Sequence, residues 1–272
     1  MTDTVSTSLG DVVYDVQGAG RTVVLLPSGA HDRHDFDELR RHLDGRLRTI
    51  AMDWPSHGSS APASGPATAM RMADAAEEFV ANVAGEGAIV LGNSIGGFAA
   101  ARMAVRRPEL VDGLVFVDGG GFLPPGPQVR LFCALMSRPR FLRAVYPAFS
   151  ARYMRARTDA DRRARKAAIA TTRADPGLRS VGELWGSFAS PDHDLRADAA
   201  SIAAPTLVAW GRKDPVIPLR VGRRVAAQIP GARLEVFDSG HVPYTTEPER
   251  FAELLVEFAT QVGELAAIEA VR

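Results

Sequence analysis

Gly92-Asn93-Ser94-Ile95-Gly96 lies where the apolar run 88–91 gives way to the small-residue stretch 97–106. The apolar run predicts a short buried strand, and the small-residue stretch predicts a helix that follows it at once. A serine on such a turn projects its hydroxyl beyond the sheet, and the glycines beside it leave room for the sharp bend. The helix N-terminus directs free backbone N–H groups into the same space. We therefore interpret Ser94 as a candidate nucleophile on a strand–turn–helix unit.

Outward from this unit, short apolar strands alternate with helical segments along most of the chain. Strands are predicted at 11–16, 22–26, 47–52, 88–91, 113–117, 205–210 and 233–237. Helices are predicted at 35–43, 69–83, 97–106, 219–228 and 248–262. This alternation is typical of βαβ units. It predicts an α/β protein with a mostly parallel central sheet and helices on both faces.

Residues 122–203 interrupt this alternation. They contain no convincing strand, and they carry Pro124, Pro125, Pro127, Pro139 and Pro147. A connection of this length between two core strands is too long to be structureless. We predict a lid of several short helices over the carboxyl edge of the sheet, where α/β proteins bind ligands. The predicted division is a core of 1–121 and 204–272 with the inserted lid 122–203.

The predicted lid contains a strongly basic stretch in a chain whose charges balance overall. Between positions 138 and 179 it holds twelve basic residues and three acidic ones. One interpretation is attraction of an anionic substrate or surface; the other, which we favour, is a solvated helical face. Over the whole chain, 32 Lys and Arg match 32 Asp and Glu, so no global field indicates nucleic acid or an anionic membrane as a partner.

Length and cysteine content limit the class of protein further. A chain of 272 residues suits one α/β domain. Cys133 is the single cysteine, which excludes an internal disulfide or a thiolate metal cluster, and its apolar neighbours predict a small buried hydrophobe. No basic segment followed by an apolar one opens the chain, and no run approaches the roughly 18 apolar residues of a membrane span. We expect a cytoplasmic protein without a membrane partner, either monomer or homodimer.

Two later loops supply the base and the acid that a serine nucleophile needs. Asp214 follows the predicted strand 205–210, and His241 follows the predicted strand 233–237. Because the carboxyl ends of parallel strands meet at one edge of the sheet, both side chains are expected near Ser94. The chain order Ser, Asp, His is the one expected for this arrangement.

With these loops in place, the chain resembles the α/β-hydrolase superfamily over essentially its whole length. Asp53-Trp54-Pro55-Ser56-His57-Gly58-Ser59-Ser60 is similar to the D-x-x-G-x-G-x-S loop of that family, with Ser56 where glycine is usual. The resemblance implies the α/β-hydrolase fold and a triad of Ser94, Asp214 and His241 that needs no metal or organic cofactor. Asp118 stands where some relatives carry the triad acid, and it is the alternative to Asp214.

The oxyanion loop departs from the family pattern. Leu25-Leu26-Pro27-Ser28-Gly29-Ala30 stands where the family usually has a strand followed by H-G-x, so Pro27 and Ser28 replace His and Gly. The resemblance then implies the backbone N–H groups of Gly29 and Ile95 as the two oxyanion donors. If the alignment of this loop with the family pattern is shifted by one residue, Ala30 supplies the N–H group in place of Gly29.

Four further residues are candidates for contact with the substrate. His31 follows the predicted oxyanion loop, so it could border the pocket. Trp54, Phe122 and Trp185 could form apolar walls, although aromatic residues are also common in cores.

A dense polar cluster surrounds the first of these candidates. His31 and His34 occur with Asp32 and Asp35, a combination that could suggest a metal site. The two histidines lack a further ligand at a supporting distance. We favour a solvated loop in which an acidic side chain caps a short helix, and we predict no bound metal.

Together these residues predict acyl transfer to water through an acyl-enzyme on Ser94. A small carboxylic ester or lactone is the favoured substrate, because relatives that cleave haloalkanes or epoxides carry Asp at the elbow. The first alternative is hydrolysis of a carbon–carbon bond in a keto acid, since Gly92 to Gly97 are similar to the G-N-S-x-G-G elbow of meta-cleavage-product hydrolases. Against it, Val242 stands where those enzymes usually have Trp. The second alternative is binding or tailoring of a small molecule without net hydrolysis.

Overall fold

The fold is seen in a computed structural model that describes residues 2–85, 87–123 and 126–269. Pro124 and Pro125 of the predicted lid lie outside the described residues. The strands are β1 (Thr2–Thr7), β2 (Gly10–Gln17), β3 (Thr22–Leu26), β4 (Arg48–Met52), β5 (Ala88–Asn93), β6 (Val111–Val117), β7 (Thr206–Gly211) and β8 (Arg233–Phe237). The helices are α1 (Asp37–Leu43), α2 (Ala69–Val83), α3 (Ile95–Arg106), α4 (Pro127–Met136), α5 (Pro139–Met154), α6 (Asp159–Thr171), α7 (Asp175–Ser187), α8 (Leu219–Gln228), α9 (Pro243–Thr246) and α10 (Pro248–Glu269).

The strands form one eight-stranded sheet in the order β1-β2-β4-β3-β5-β6-β7-β8. The pairs β1–β2 and β2–β4 are antiparallel, and the pairs that continue from β4 through β8 are parallel. This topology confirms the predicted, mostly parallel sheet. The prediction lacks β1, because that edge strand is polar and largely exposed and so shows no apolar alternation.

Side chains of the central strands alternate between two apolar cores, because successive residues of a strand point to opposite faces. Val24 belongs to a core with side chains of α2, α3 and α8. Its neighbours Val23 and Leu25 belong to a second core with side chains of α1 and α10. Helices therefore cover both faces, as predicted, and the loops at the carboxyl edge are left to build a site.

Four helices, α4 to α7, lie between β6 and β7 and fall within the predicted lid. Pro127 and Pro139 occupy the first turns of α4 and α5, where the missing N–H is tolerated. The limits 122–203 given to the lid remain a prediction. Within the described ranges, none of the helices combines the length and the hydropathy that crossing a membrane requires.

Helices α5 and α6 are bonded to the segment that follows β8. The backbone oxygen of Tyr153, at the end of α5, accepts a hydrogen bond of 2.9 Å from the backbone N–H of His241. Asp161 caps the start of α6 and also accepts a hydrogen bond of 2.6 Å from the Thr245 hydroxyl in α9. These two helices therefore help to fix the segment that carries His241.

Candidate active site

Ser94 lies on a sharp turn between β5, which ends at Asn93, and α3, which begins at Ile95. Its backbone has φ 58° and ψ −111°, a strained conformation for a residue other than glycine. A Cβ atom on Gly92 would lie 2.0 Å from the backbone oxygen of Gly96, and one on Gly96 would lie 2.3 Å from that of Leu26. The turn therefore requires both glycines of the G-x-S-x-G pattern.

Asp214 and His241 follow β7 and β8 at the same edge of the sheet. Asp214 Oδ2 lies 2.7 Å from His241 Nδ1, and Asp214 Oδ1 accepts a hydrogen bond of 2.7 Å from the backbone N–H of Val216. Both side chains are buried. Because Nδ1 is engaged by Asp214, Nε2 of His241 is the nitrogen left to exchange a proton. Ser94 and His241 line the same small cavity of about 40 Å³.

Asn93 joins the turn of the nucleophile to the loop of the base. Its buried amide nitrogen donates hydrogen bonds of 3.0 Å to the backbone oxygens of Val117 and His241. Sequence reasoning missed this role because the G-x-S-x-G pattern leaves this position free. A buried amide can satisfy two carbonyls at once, so Asn93 holds Ser94 and His241 at a fixed separation.

Asp118, the alternative acid, lies against the Asp214 carboxylate. Both of its carboxyl oxygens accept from the backbone N–H of Gly211 at 3.1 Å, and its φ is 40°. Burial, followed by the charge of Asp214, raises the pKa of Asp118 well above its usual value. Burial beside a second carboxyl group therefore favours the neutral form of Asp118.

Among the described residues, Asp118, Asp214 and His241 form the group of side chains that could hold a metal ion. One ligand atom each from Asp118, Asp214 and His241 lies within 4.8 Å of the others. The hydrogen bonds from Gly211 and Val216 and the bond between His241 and Asp214 account for this cluster as an acid–base unit.

The loop after β3 favours Gly29 over Ala30 as the first oxyanion donor. Gly29 lines the small cavity, and its N–H has no hydrogen-bond acceptor among the described residues. The N–H of Ala30 instead donates to His57 Nε2 at 3.1 Å. Burial lowers the pKa of His57 to about 4, so this nitrogen is an unprotonated acceptor. The N–H of Ile95, first in α3, has no intrahelical acceptor and completes the candidate pair.

A larger cavity of about 440 Å³ adjoins the small one, and both reach Ser94. Its walls are mostly apolar, and Trp185 lines both cavities. Trp54 is instead fully buried, where its indole N–H donates to the backbone oxygen of Pro27 at 2.9 Å. Phe122 is also buried and packs edge-on against a core phenylalanine. Of the three predicted aromatic walls, Trp185 alone lines these two cavities.

The two histidines of the polar cluster after β3 have different surroundings. His31 is fully buried, and its ring contacts Asp35 and the hydroxyl of Tyr153. His34 is exposed and lies 3.1 Å from Asp37. The expectation of a solvated loop is therefore wrong for His31, Asp32 and Asp35, which are all buried. His31 lines neither cavity, because Tyr153 of α5 covers its ring. The expected helix cap is present, since Asp32 accepts from the N–H of His34 at 2.9 Å.

The structure also shows the surroundings of Cys133 and Ser56, two residues noted in the sequence. Cys133 is buried, as predicted, and lines the larger cavity. Ser56, which stands in place of the usual glycine, has a φ of 68°. Its hydroxyl accepts from the N–H of Ala63 at 2.8 Å, a contact that glycine could not make.

Comparisons with known proteins agree with this geometry. Residues 23–254 match the Alpha/beta hydrolase family. The 2-hydroxy-6-oxononadienedioate/2-hydroxy-6-oxononatrienedioate hydrolase of Paraburkholderia phymatum is 30% identical over 92% of this chain and 91% of its own length. The pimeloyl-(acyl-carrier protein) methyl ester esterase of Vibrio cholerae is 28% identical over 91% of this chain and 98% of its own length. A hydrolase structure from Pseudomonas aeruginosa PA01 has a TM-score of 0.79 at 27% identity, covering 94% of this chain and 97% of that one. These matches indicate a hydrolase, and the chain belongs to the alpha/beta hydrolase family.

Proposed function

We propose that the protein is a serine hydrolase that cleaves a small carboxylic ester or lactone through an acyl-enzyme intermediate. The observation that carries the proposal is the shared cavity of Ser94, His241 and Gly29, with Asp214 bonded to the far side of His241. A serine hydroxyl is a poor nucleophile near neutral pH, and a histidine held in one tautomer by a carboxylate removes that obstacle.

The reaction begins when Ser94 Oγ attacks the carbonyl carbon and its proton passes to His241 Nε2. The carbonyl oxygen becomes an oxyanion that accepts from the N–H groups of Gly29 and Ile95, and one such donor is worth about 3–4 kcal/mol. The tetrahedral intermediate then expels the alkoxide, which takes the proton from His241. Asp214 stabilises the imidazolium that exists between these two proton transfers.

Water completes the cycle. His241 removes a proton from a water molecule, the hydroxide attacks the acyl carbon, and Ser94 leaves as it recovers the proton from His241. The products are a carboxylic acid and an alcohol, or one hydroxy acid from a lactone. The oxyanion donors act a second time, because this step also passes through a tetrahedral intermediate.

The test uses a panel of phenyl esters, lactones and keto acids with wild-type protein and Ser94→Ala. We expect Ser94→Ala to abolish ester hydrolysis and to prevent labelling by a serine-reactive phosphonate. Ser6→Ala, on the exposed edge strand β1, is the matched control. Hydrolysis that persists in Ser94→Ala, or binding without turnover in the wild type, would contradict the proposal.

Carbon–carbon bond hydrolysis of a keto acid is the second candidate, and one cation favours it. Arg152 lines the larger cavity together with Gln128 and makes no ion pair among the described residues. Arg152 is exposed, and an unpaired guanidinium that lines an apolar cavity can bind a substrate carboxylate in a bidentate manner. Such a residue is not needed for a simple neutral ester.

Turnover of a phenyl ester against turnover of a vinylogous 1,5-diketone acid separates the two candidates. If the acid is the substrate, Arg152→Gln should raise its KM by about tenfold or more, the effect of losing one charged hydrogen bond. Arg155→Gln is the matched control, since Arg155 is an exposed arginine at the end of the same helix that does not line the larger cavity. A KM for the acid that does not change in Arg152→Gln would remove this argument.

A further inference from the structure

A buried chain of hydrogen bonds leads from the core to the small cavity. Asp35 is bonded to Nδ1 of His31, and Nε2 of His31 lies 2.7 Å from the hydroxyl of Tyr153. The Tyr153 hydroxyl lies 2.9 Å from that of Tyr146. All four side chains are buried, and both tyrosines line the cavity that contains Ser94. We call these four residues the Asp35–Tyr146 chain.

Neither the triad nor the oxyanion donors use this chain. Asp35 is buried with one carboxyl oxygen, Oδ1, that has no hydrogen-bond partner, and among the described residues His31 is its ion-pair partner. Burying a carboxylate in this way is unfavourable unless another group compensates its charge. The hydrogen bond from Nδ1 of His31 provides part of that compensation.

The order of the hydrogen bonds decides which hydroxyl hydrogen can reach the cavity. When Nδ1 of His31 donates to Asp35, Nε2 accepts from the Tyr153 hydroxyl. The Tyr146 hydroxyl hydrogen is then the last in the chain. It can donate either to the Tyr153 oxygen or into the cavity that Tyr146 lines.

Burial raises the pKa of both tyrosines, so neither hydroxyl is lost as a donor by ionisation. The cavity they line has a volume of about 40 Å³, which suits one or two water-sized groups. It also contains Ser94 and Gly29, so the reacting carbonyl fills part of it. A tyrosine hydroxyl hydrogen that points into this cavity would donate to a substrate atom close to that carbonyl.

We propose that Tyr146 and Tyr153, polarised by Asp35 and His31, bind a second oxygen atom of the substrate next to the scissile carbonyl. The substrate class is then a 2-oxo ester or a related compound with an oxygen on the carbon beside the reacting carbonyl. The tyrosines are specificity-determining residues, and Asp35 and His31 are positioning residues that act through them. This inference rests on the proposed function, since it concerns the cavity in which Ser94 acts.

The experiment compares kcat/KM for ethyl 2-oxobutanoate and ethyl butanoate, which differ in that one oxygen. Using the ratio of the two values in each variant cancels the greater intrinsic reactivity of the keto ester. Asp35→Asn removes the carboxylate that fixes the tautomer of His31, and Tyr146→Phe with Tyr153→Phe removes both hydroxyls. We expect each change to lower the ratio by about tenfold, the effect of one hydrogen bond.

Asp37→Asn is the matched control, because it alters an exposed carboxylate paired with a histidine on the same segment. Its ratio should equal that of the wild type. A merely structural role for the Asp35–Tyr146 chain would lower both activities equally, so an unchanged ratio in Asp35→Asn or in the double tyrosine variant overturns the inference.

Failure of the proposed function gives a different result, in which wild-type protein hydrolyses neither ester. Binding then tests the inference separately, by calorimetry of ethyl 2-oxobutanoate with Ser94→Ala protein. Adding Asp35→Asn to Ser94→Ala should raise Kd by about tenfold. An equal Kd in the two proteins overturns the inference without reference to turnover.

Discussion

Replacing Asp214 with asparagine removes the negative charge beside the base and keeps the shape of the side chain. Asp214 Oδ2 lies 2.7 Å from His241 Nδ1. At an effective dielectric constant of about 20, a charge pair at this distance is worth about 6 kcal/mol. Because that attraction stabilises the imidazolium of the transition state, its loss alone should lower kcat by about 10⁴-fold.

Asp118 changes this expectation in a way that depends on pH. Its pKa is raised by burial and, second, by the charge of Asp214, so Asp214→Asn should lower the pKa of Asp118. One Asp118 oxygen lies within 4.8 Å of a His241 nitrogen. Once ionised, Asp118 would restore about 3 kcal/mol, which leaves a loss of about 10²-fold at high pH. At low pH Asp118 stays protonated, and the full loss remains.

The assay is kcat for a phenyl ester from about pH 6 to about pH 9, in wild type, Asp214→Asn, Asp118→Asn and the double variant. We expect the ratio of Asp214→Asn to wild type to rise with pH, and the ratio of the double variant to wild type to stay low throughout. Circular dichroism of each variant checks the fold. A pH-independent ratio for Asp214→Asn, or equal rates in the single and double variants, would refute the reasoning.

Three further predictions concern groups that support the site. Burial lowers the pKa of His57 to about 4, so the unfolded chain binds a proton at His57 more tightly than the folded chain does. The free energy of unfolding, measured by urea denaturation, should therefore fall by about 3 kcal/mol from about pH 6.5 to about pH 4. Gly96→Ala puts a methyl group 2.3 Å from the backbone oxygen of Leu26, so the turn must shift; kcat should fall by about 10²-fold and Tm should fall. Asn93→Ala leaves the His241 carbonyl without its 3.0 Å donor, which should lower the free energy of unfolding by about 1–3 kcal/mol and reduce kcat more than it changes KM.

Each of these predictions has its own control. His57→Gln should lose the part of the acid dependence that His57 supplies, whereas exposed His34→Gln should keep it. Gly126→Ala, at a glycine with open space around its Cβ position and no positive φ, controls for the general effect of adding a methyl group. Asn82→Ala, at an exposed position of α2, controls for the loss of an amide. Variants that behave like their controls would contradict the roles assigned to His57, Gly96 and Asn93.

The parallel core and the meeting of Asp214 with His241 at its carboxyl edge could be predicted because they depend on local patterns. The run before Ser94 is apolar along its whole length, as a strand covered on both faces must be. Asp214 and His241 each stand directly after a strand, and parallel strands bring their carboxyl ends together. A pattern of this kind needs no knowledge of distant contacts.

The parts that sequence reasoning missed depend on such contacts. His31 is buried because Tyr153, 122 positions further along the chain, contacts it. Asn93 has a role because the carbonyl of His241, 148 positions away, lies beside its amide. Trp54 resembles a pocket wall in the sequence, yet it lies inside the core because its indole N–H bonds to the oxyanion loop. Periodicity and spacing contain no information about these pairs.

His241 is held by α5 and by the end of β5, and this links substrate preference to turnover rate. The backbone N–H of His241 donates to Tyr153 in α5, and its backbone oxygen accepts from the amide of Asn93. Tyr153 also presents its ring to the imidazole, with 5.7 Å between ring centroids, and its hydroxyl to the Asp35–Tyr146 chain. A change in α5 that reshapes the cavity must therefore also move the support of the base. Substitutions in this helix should alter kcat together with substrate preference, whereas substitutions in α4, which contributes only to the larger cavity, should alter KM alone.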